Sequence, residues 1–159
     1  MDLELKQVLD DWNFIRQNTI EFISGLSNEE LTKKMPRPGI DTFMKHFEEM
    51  CDVQTAYLDA CESGEMEFDC VKENDDYQGT SSKEEILARM AEQDNRMESI
   101  VEKYEAKKII WDEDDVKTLN SQFRNLCIHE TLHLGQLIAF AYTMGIKIPE
   151  FIVENWALS

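Results

Sequence analysis

Basic residues are scarce in this chain. Its 159 residues carry Lys+Arg 16 against Asp+Glu 33, a formal net charge of −17. Such a surface repels phosphate backbones, and the tightest basic clusters, Lys33-Lys34 and Lys107-Lys108, are too short to offset it locally. Nucleic acid is therefore not expected as a partner. No apolar run approaches the roughly 20 residues that span a bilayer, so no membrane insertion is expected either. The N-terminus, Met1-Asp2-Leu3-Glu4-Leu5-Lys6, is acidic and amphipathic and lacks the basic start of a signal peptide. Cys51, Cys61, Cys70 and Cys127 form no CxxC pair and no disulfide-framework spacing. They are expected as reduced thiols in a cytoplasmic protein, with Cys51 and Cys127 as buried structural thiols on helices. Internal repeats and strand-period segments are absent.

What the chain does have is helical period. Hydrophobic residues make up 42% and charged residues 31%, and the length suits one domain over residues 1–159. Leu5, Val8, Leu9, Trp12, Ile15, Thr19, Phe22 and Ile23 trace one stripe through residues 2–24, with Gly25 as a stop. Ser27-Asn28-Glu29-Glu30-Leu31 predicts a short capped turn, and Pro36-Arg37-Pro38-Gly39 breaks the chain. Asp41 or Thr42 caps a second helix with a stripe of Phe43, Phe47, Met50, Cys51, Gln54, Leu58 and Cys61. Residues 62–81 read as a long acidic loop. A third helix starts at Ser81 or Ser82, and its stripe runs from Ile86 to Tyr104. A second acidic loop, Trp111-Asp112-Glu113-Asp114-Asp115, leads to a fourth helix over about 117–144 that ends at Gly145. The expected fold is all-α: an antiparallel four-helix bundle with long inter-helix loops and a short C-terminal tail. The tail, with Phe151 and Trp156, is expected to cover the chain's own core; a lid over the site or a homodimer interface are its other readings.

Histidine is the rarest chemistry-bearing residue, and its placement is the most informative. His129 and His133 stand four apart, side by side on one helical face. His46 lies far upstream in Phe43-Met44-Lys45-His46-Phe47-Glu48-Glu49-Met50. On a wheel of the fourth helix with Leu126 at zero, His133 falls near −20°, inside the apolar arc, and His129 near −60°, at its edge. His46 shares a face with Phe43, Met50 and Val53. Buried imidazoles need partners for an N–H and a lone pair, so the pair reads as a metal site or as hydrogen-bonded core residues. Glu130 sits at about 40°, also in the apolar arc, where a carboxylate is costly unless paired. It completes His-Glu-x-x-His, the zincin pattern. A zincin would also want a sheet and a third ligand, for which Glu154 is the well-spaced candidate. A ferritin-like di-iron site would need carboxylates three before His46 and His129, where Phe43 and Leu126 stand.

At these residues the chain resembles the DinB/YfiT-like family of small metal-binding four-helix bundles. The resemblance is carried by His46 in its helix-two segment and by His129-Glu130-x-x-His133-Leu134-Gly135-Gln136-Leu137, and it spans essentially the whole chain in length and helix order. It implies that His46, His129 and His133 bind one divalent metal ion, commonly zinc or nickel. Family members with assigned activities include thiol-dependent transferases and isomerases, which use the metal to activate a low-molecular-weight thiol. Residues 62–81 carry no family motif.

Three histidine nitrogens would leave coordination positions open, as catalytic sites do. Glu130 is expected to orient a histidine from outside the ligand shell, because it points about 100° away from His129; the alternative is a catalytic role as general base. Three functional classes follow: a metal-dependent thiol S-transferase acting on a small-molecule electrophile, a metallohydrolase using Glu130, and a bundle that metal merely staples.

Overall fold

The computed structural model describes residues 3–104 and 107–158; Met1 and Asp2, the latter included in the expected first helix, lie outside that range. Helix α1 (Leu3–Gly25) is followed by the short α2 (Asn28–Thr32), α3 (Phe43–Ser63), a single 3-10 turn (Asn74–Asp76) and α4 (Lys83–Tyr104). A hairpin of β1 (Lys108–Asp112) and β2 (Asp115–Thr118) then leads to α5 (Leu119–Met144) and α6 (Glu150–Asn155).

The caps are local chemistry. Ser27 and Glu30 form a reciprocal capping box on α2. Thr42 accepts from the Lys45 amide to start α3. Ser82 and Glu85 exchange the same pair of bonds at the head of α4. Gly145, at φ 66°, ends α5 in the left-handed conformation that glycine adopts without strain. Gly25 answers to a close approach instead: a Cβ there would stand 2.6 Å from the Pro149 ring, so the tail docks where α1 ends.

The long helices form an all-α bundle, as expected, and their pairing explains its longest connection. Asn120 bonds Glu4, and Arg16 meets Glu130, so α1 and α5 run parallel. Gln93 bonds the Cys51 carbonyl and Arg96 the Glu62 carboxylate, so α3 and α4 also run parallel. The α3–α5 and α1–α4 pairs are antiparallel, as His46–His133 with Tyr57–Gln122, and Leu26–Lys83 with Trp12–Asp94, establish. Parallel consecutive helices force residues 64–82 to cross the bundle's full length, about 30 Å for a helix like α3. That stretch is well anchored. Met66 pairs with Ile110 at one end, Tyr77 donates to Asp52 midway, and Glu48 accepts from the Gly79 and Ser81 amides at the other.

The hairpin departs from the sequence expectation of a plain acidic loop. Its strands are short and only Ile109 is fully buried, too little alternation to register as a strand period. A register shift falls at Trp111, whose ring packs against Tyr57 and Phe68 and whose Nε1 donates to Gln122.

Between the helices the core divides in two. One apolar cluster holds Phe22, Phe43, Phe47, Met50, Met90, Leu134 and Leu137; the other holds Trp12, Leu58, Met97, Ile100, Phe123 and Leu126. The level between them is polar on all four helices. The Arg16 guanidinium lies 3.0 Å from Glu130 Oε1 and 3.3 Å from Asp94 Oδ2, donates to Gln54 Oε1 and covers the Trp12 ring. Trp12 and Gln54 both donate to Asp94 Oδ1. With Arg16 and Glu130 side chains 4% and 1% exposed, removing one partner strands a buried charge. Arg16→Met is therefore expected to cost about 3–5 kcal/mol. The double variant Arg16→Met/Glu130→Leu should cost less than Arg16→Met alone, read from urea denaturation midpoints.

Candidate metal site

The α3–α5 interface gathers the titratable side chains. His46 and Glu49 sit one turn apart on α3, and His129 and His133 one turn apart on α5. Because these helices are antiparallel, the two pairs meet face to face. His133 Nε2 lies 2.9 Å from Glu49 Oε2 and 3.2 Å from His129 Nε2, and His129 Nε2 lies 3.3 Å from Glu49 Oε1. Donor atoms of Glu49, His129 and His133 all fall within 4.8 Å of one another. On its other side, His133 Nδ1 meets His46 Nδ1 at 2.9 Å. His46 is fully buried, whereas His129 is 21% exposed and opens the cluster to solvent.

Two observations fit a cation among these donors. A neutral imidazole has one N–H, yet His133 Nε2 faces both a carboxylate oxygen and another ring nitrogen. Glu49 Oε2, though buried and this close, makes no hydrogen bond among the described residues. The donor chemistry, two imidazoles and one carboxylate, is that of three-ligand catalytic zinc sites.

Protonation states suit the same reading. Burial, then the electrostatic influence of His133 and Arg37, pushes His46 down to about 3, so it is neutral at pH 7. Burial works to raise Glu49, but the close approach of His129 and His133 prevails and holds it at about 2. Thus it is ionised.

The expected histidines therefore come together, with His46 in contact with His133 and outside the tight three-donor set. Glu49 went unnoticed in the sequence: Glu48 and Glu49 are adjacent and look alike, and only the packing separates their roles. The signal available was the i, i+3 spacing from His46. Glu130, whose inward direction the helical wheel anticipated, meets Arg16 on the α1 side and is not among the three close donors. Glu154 is exposed on α6. The tail packs on α1, where Trp156 donates to Asn18 and stacks near Phe14.

These shifts set a pH dependence for the metal-free protein. Unfolded, His46 takes up a proton below about 6.5 and Glu49 below about 4.5; folded, they resist until about 3 and about 2. The unfolded chain binds more protons throughout, so stability falls as pH drops through that window. The urea midpoint should decline from about pH 6.5 toward 3, and His46→Gln should flatten the upper part of that decline.

No curated protein matches the chain. A family model described as the DinB superfamily matches residues 11–137, from within α1 to just past His133, and so covers every residue of the donor cluster. The chain belongs to the DinB superfamily.

Proposed function

We propose that this protein binds one divalent metal ion between α3 and α5 and uses it in chemistry on a small molecule, with an external low-molecular-weight thiol as nucleophile. The observation that carries this reading is the convergence of Glu49, His129 and His133 beside a solvent opening. Zinc fits these donors, and nickel, another ion that imidazole suits, fits them too. His46, touching His133, is the fourth candidate donor, in keeping with the resemblance noted above. When bound, the ion would supply Lewis acidity and favour a thiolate over a thiol at neutral pH.

The chain's own residues set the limits of that chemistry. Glu49 brings a negative charge to the donor set, which offsets half the charge of a divalent ion. His46 orients His133 through the ring nitrogen that Glu49 does not face. Glu130, held by Arg16, sets the rotation of α5 and acts as a positioning residue. The nucleophilic thiol is assigned to an outside molecule, and the chain's buried thiols are poor competitors for that role: burial pushes Cys51, Cys61 and Cys127 up to about 12.

Zinc titration by calorimetry should give one ion per chain. His129→Ala and His133→Ala should each weaken binding by more than about 100-fold, the upper end of what an outer-shell partner costs. Glu130→Gln should keep the metal. Thiol-dependent turnover of small electrophiles by the loaded wild type completes the test. If chelation unfolds the protein and no thiol-dependent turnover occurs, the metal is a staple and the enzymatic reading falls.

A further inference from the structure

The outward face of α5 lacks the charge of a solvated helix. Ile128, Leu132 and Tyr142 are 61%, 60% and 49% exposed, and Gly135 and Ala139 between them are exposed too. From Asn125 to Thr143 the sequence holds no Asp, Lys or Arg, and its one Glu, Glu130, is buried against Arg16. The other long helices turn acid outward: Asp10 and Asp11 on α1, Asp59 and Glu62 on α3, Glu84 and Glu92 on α4. The uncharged stripe also keeps a register. Ile128, Leu132, Gly135, Ala139 and Tyr142 follow one another at alternating steps of four and three, the a/d seam of a helix that packs lengthwise on another. Yet these residues face solvent. The patch extends onto a groove between α1 and α5, where Phe14, Ile15 and Trp156 continue its apolar lining.

We propose that this stripe is the seam of a two-fold homodimer, in which α5 packs antiparallel on α5 of a second copy. The inference does not depend on the metal reading. A two-fold interface needs a surface complementary to itself, and the spacing supplies one. With the axis between Leu132 and Gly135, Leu132 of each copy faces Gly135 of the other, Ile128 faces Ala139, and Tyr142 faces Asn125. Each bulky aliphatic side chain thus meets a small residue, which lets the helix axes approach. Charge favours a copy over a foreign partner. Two molecules of net charge −17 repel wherever acid faces acid, and along this seam no acid does. A partner suited to an acidic protein would bring cations, and the stripe gives them no carboxylate to meet. His129 is 21% exposed and adjoins Ile128 on the flank of the seam, so the second copy stands beside the opening to the donor cluster.

Sedimentation equilibrium of the wild type should give the mass of two chains. Leu132→Glu and Gly135→Arg should each weaken self-association by about 30-fold or more, the effect of a residue at the centre of an interface. Gly135→Arg separates association from folding. A Cβ at Gly135 meets no heavy atom within 4 Å, and arginine is the better helix former, so this variant should keep the wild type's helical circular dichroism. The register is read by cross-linking. In a Cys70→Ser background, mild oxidation of Ile128→Cys/Ala139→Cys should join two chains, whereas Glu92→Cys, on α4 across the bundle, should not. A wild type that stays monomeric overturns the proposal; binding of an apolar dye or a foreign amphipathic helix that Leu132→Glu abolishes would then give the face another occupant. A dimer that survives both substitutions lies on a different surface and overturns it as well. So does a dimer that both substitutions break but that Ile128→Cys/Ala139→Cys fails to cross-link, because its helices do not pair in this register.

Discussion

The ion pair between Arg16 and Glu130 is the constraint on which the rest of this structure turns. Both groups are almost wholly withdrawn from water, so each needs the other in place. Gln54 and Asp94 complete the same polar level, which gives every long helix one residue that has to meet its neighbours at a fixed height and rotation. Apolar packing alone tolerates small slips of helix against helix; a buried charge does not. On α5 the consequence is specific. Glu130 is tied to α1, and its neighbour His129, about 100° around the helix, is thereby turned toward α3. The donor cluster is thus oriented by a contact that lies outside it.

Helix direction matters as much as rotation. With α3 and α5 antiparallel, an i, i+3 pair on one helix faces an i, i+4 pair on the other: Glu49, His129 and His133 bring donor atoms within 4.8 Å of one another, and His46 lies against the far side of His133. The same up-down-down-up arrangement makes α3 and α4 parallel neighbours, which obliges residues 64–82 to run the length of the bundle. The acidic character of that stretch is therefore the character of a crossing strap. Its anchors are Tyr77 on Asp52 and the Gly79 and Ser81 amides on Glu48. Glu48 and Glu49 divide the work of α3: one holds the strap and the other faces the histidines.

The carboxylate changes the chemistry expected of the site. Three neutral nitrogens would leave a divalent ion its whole charge; Glu49 brings a negative one, ionised because the two histidines outweigh its burial. On the proposed reading, an ion with its charge so moderated would still favour thiolate over thiol. The chain's deeply buried thiols, raised far above neutrality by burial, do not compete for that role.

Much of this was legible in the sequence, because helical period and capping are local. The stripes of all four long helices, the stop at Gly145, the caps to within one residue (Asp41 or Thr42, Ser81 or Ser82, of which the structure uses Thr42 and Ser82), and the inward direction of His133 and Glu130 follow from residues a few positions apart. The β1–β2 hairpin was not legible, since its single buried residue, Ile109, leaves no alternation to read. Nor was the identity of the partners. A wheel says that Glu130 points inward but not that Arg16 waits there, and it ranks Glu48 and Glu49 only by angle. By itself the sequence determined which residues form helices and which face each presents, because those depend on a repeat of about 3.6 residues. Only the tertiary structure decided which faces meet, because that choice is made by long-range packing and by buried charges finding one another. Glu49 joined the histidines by that route.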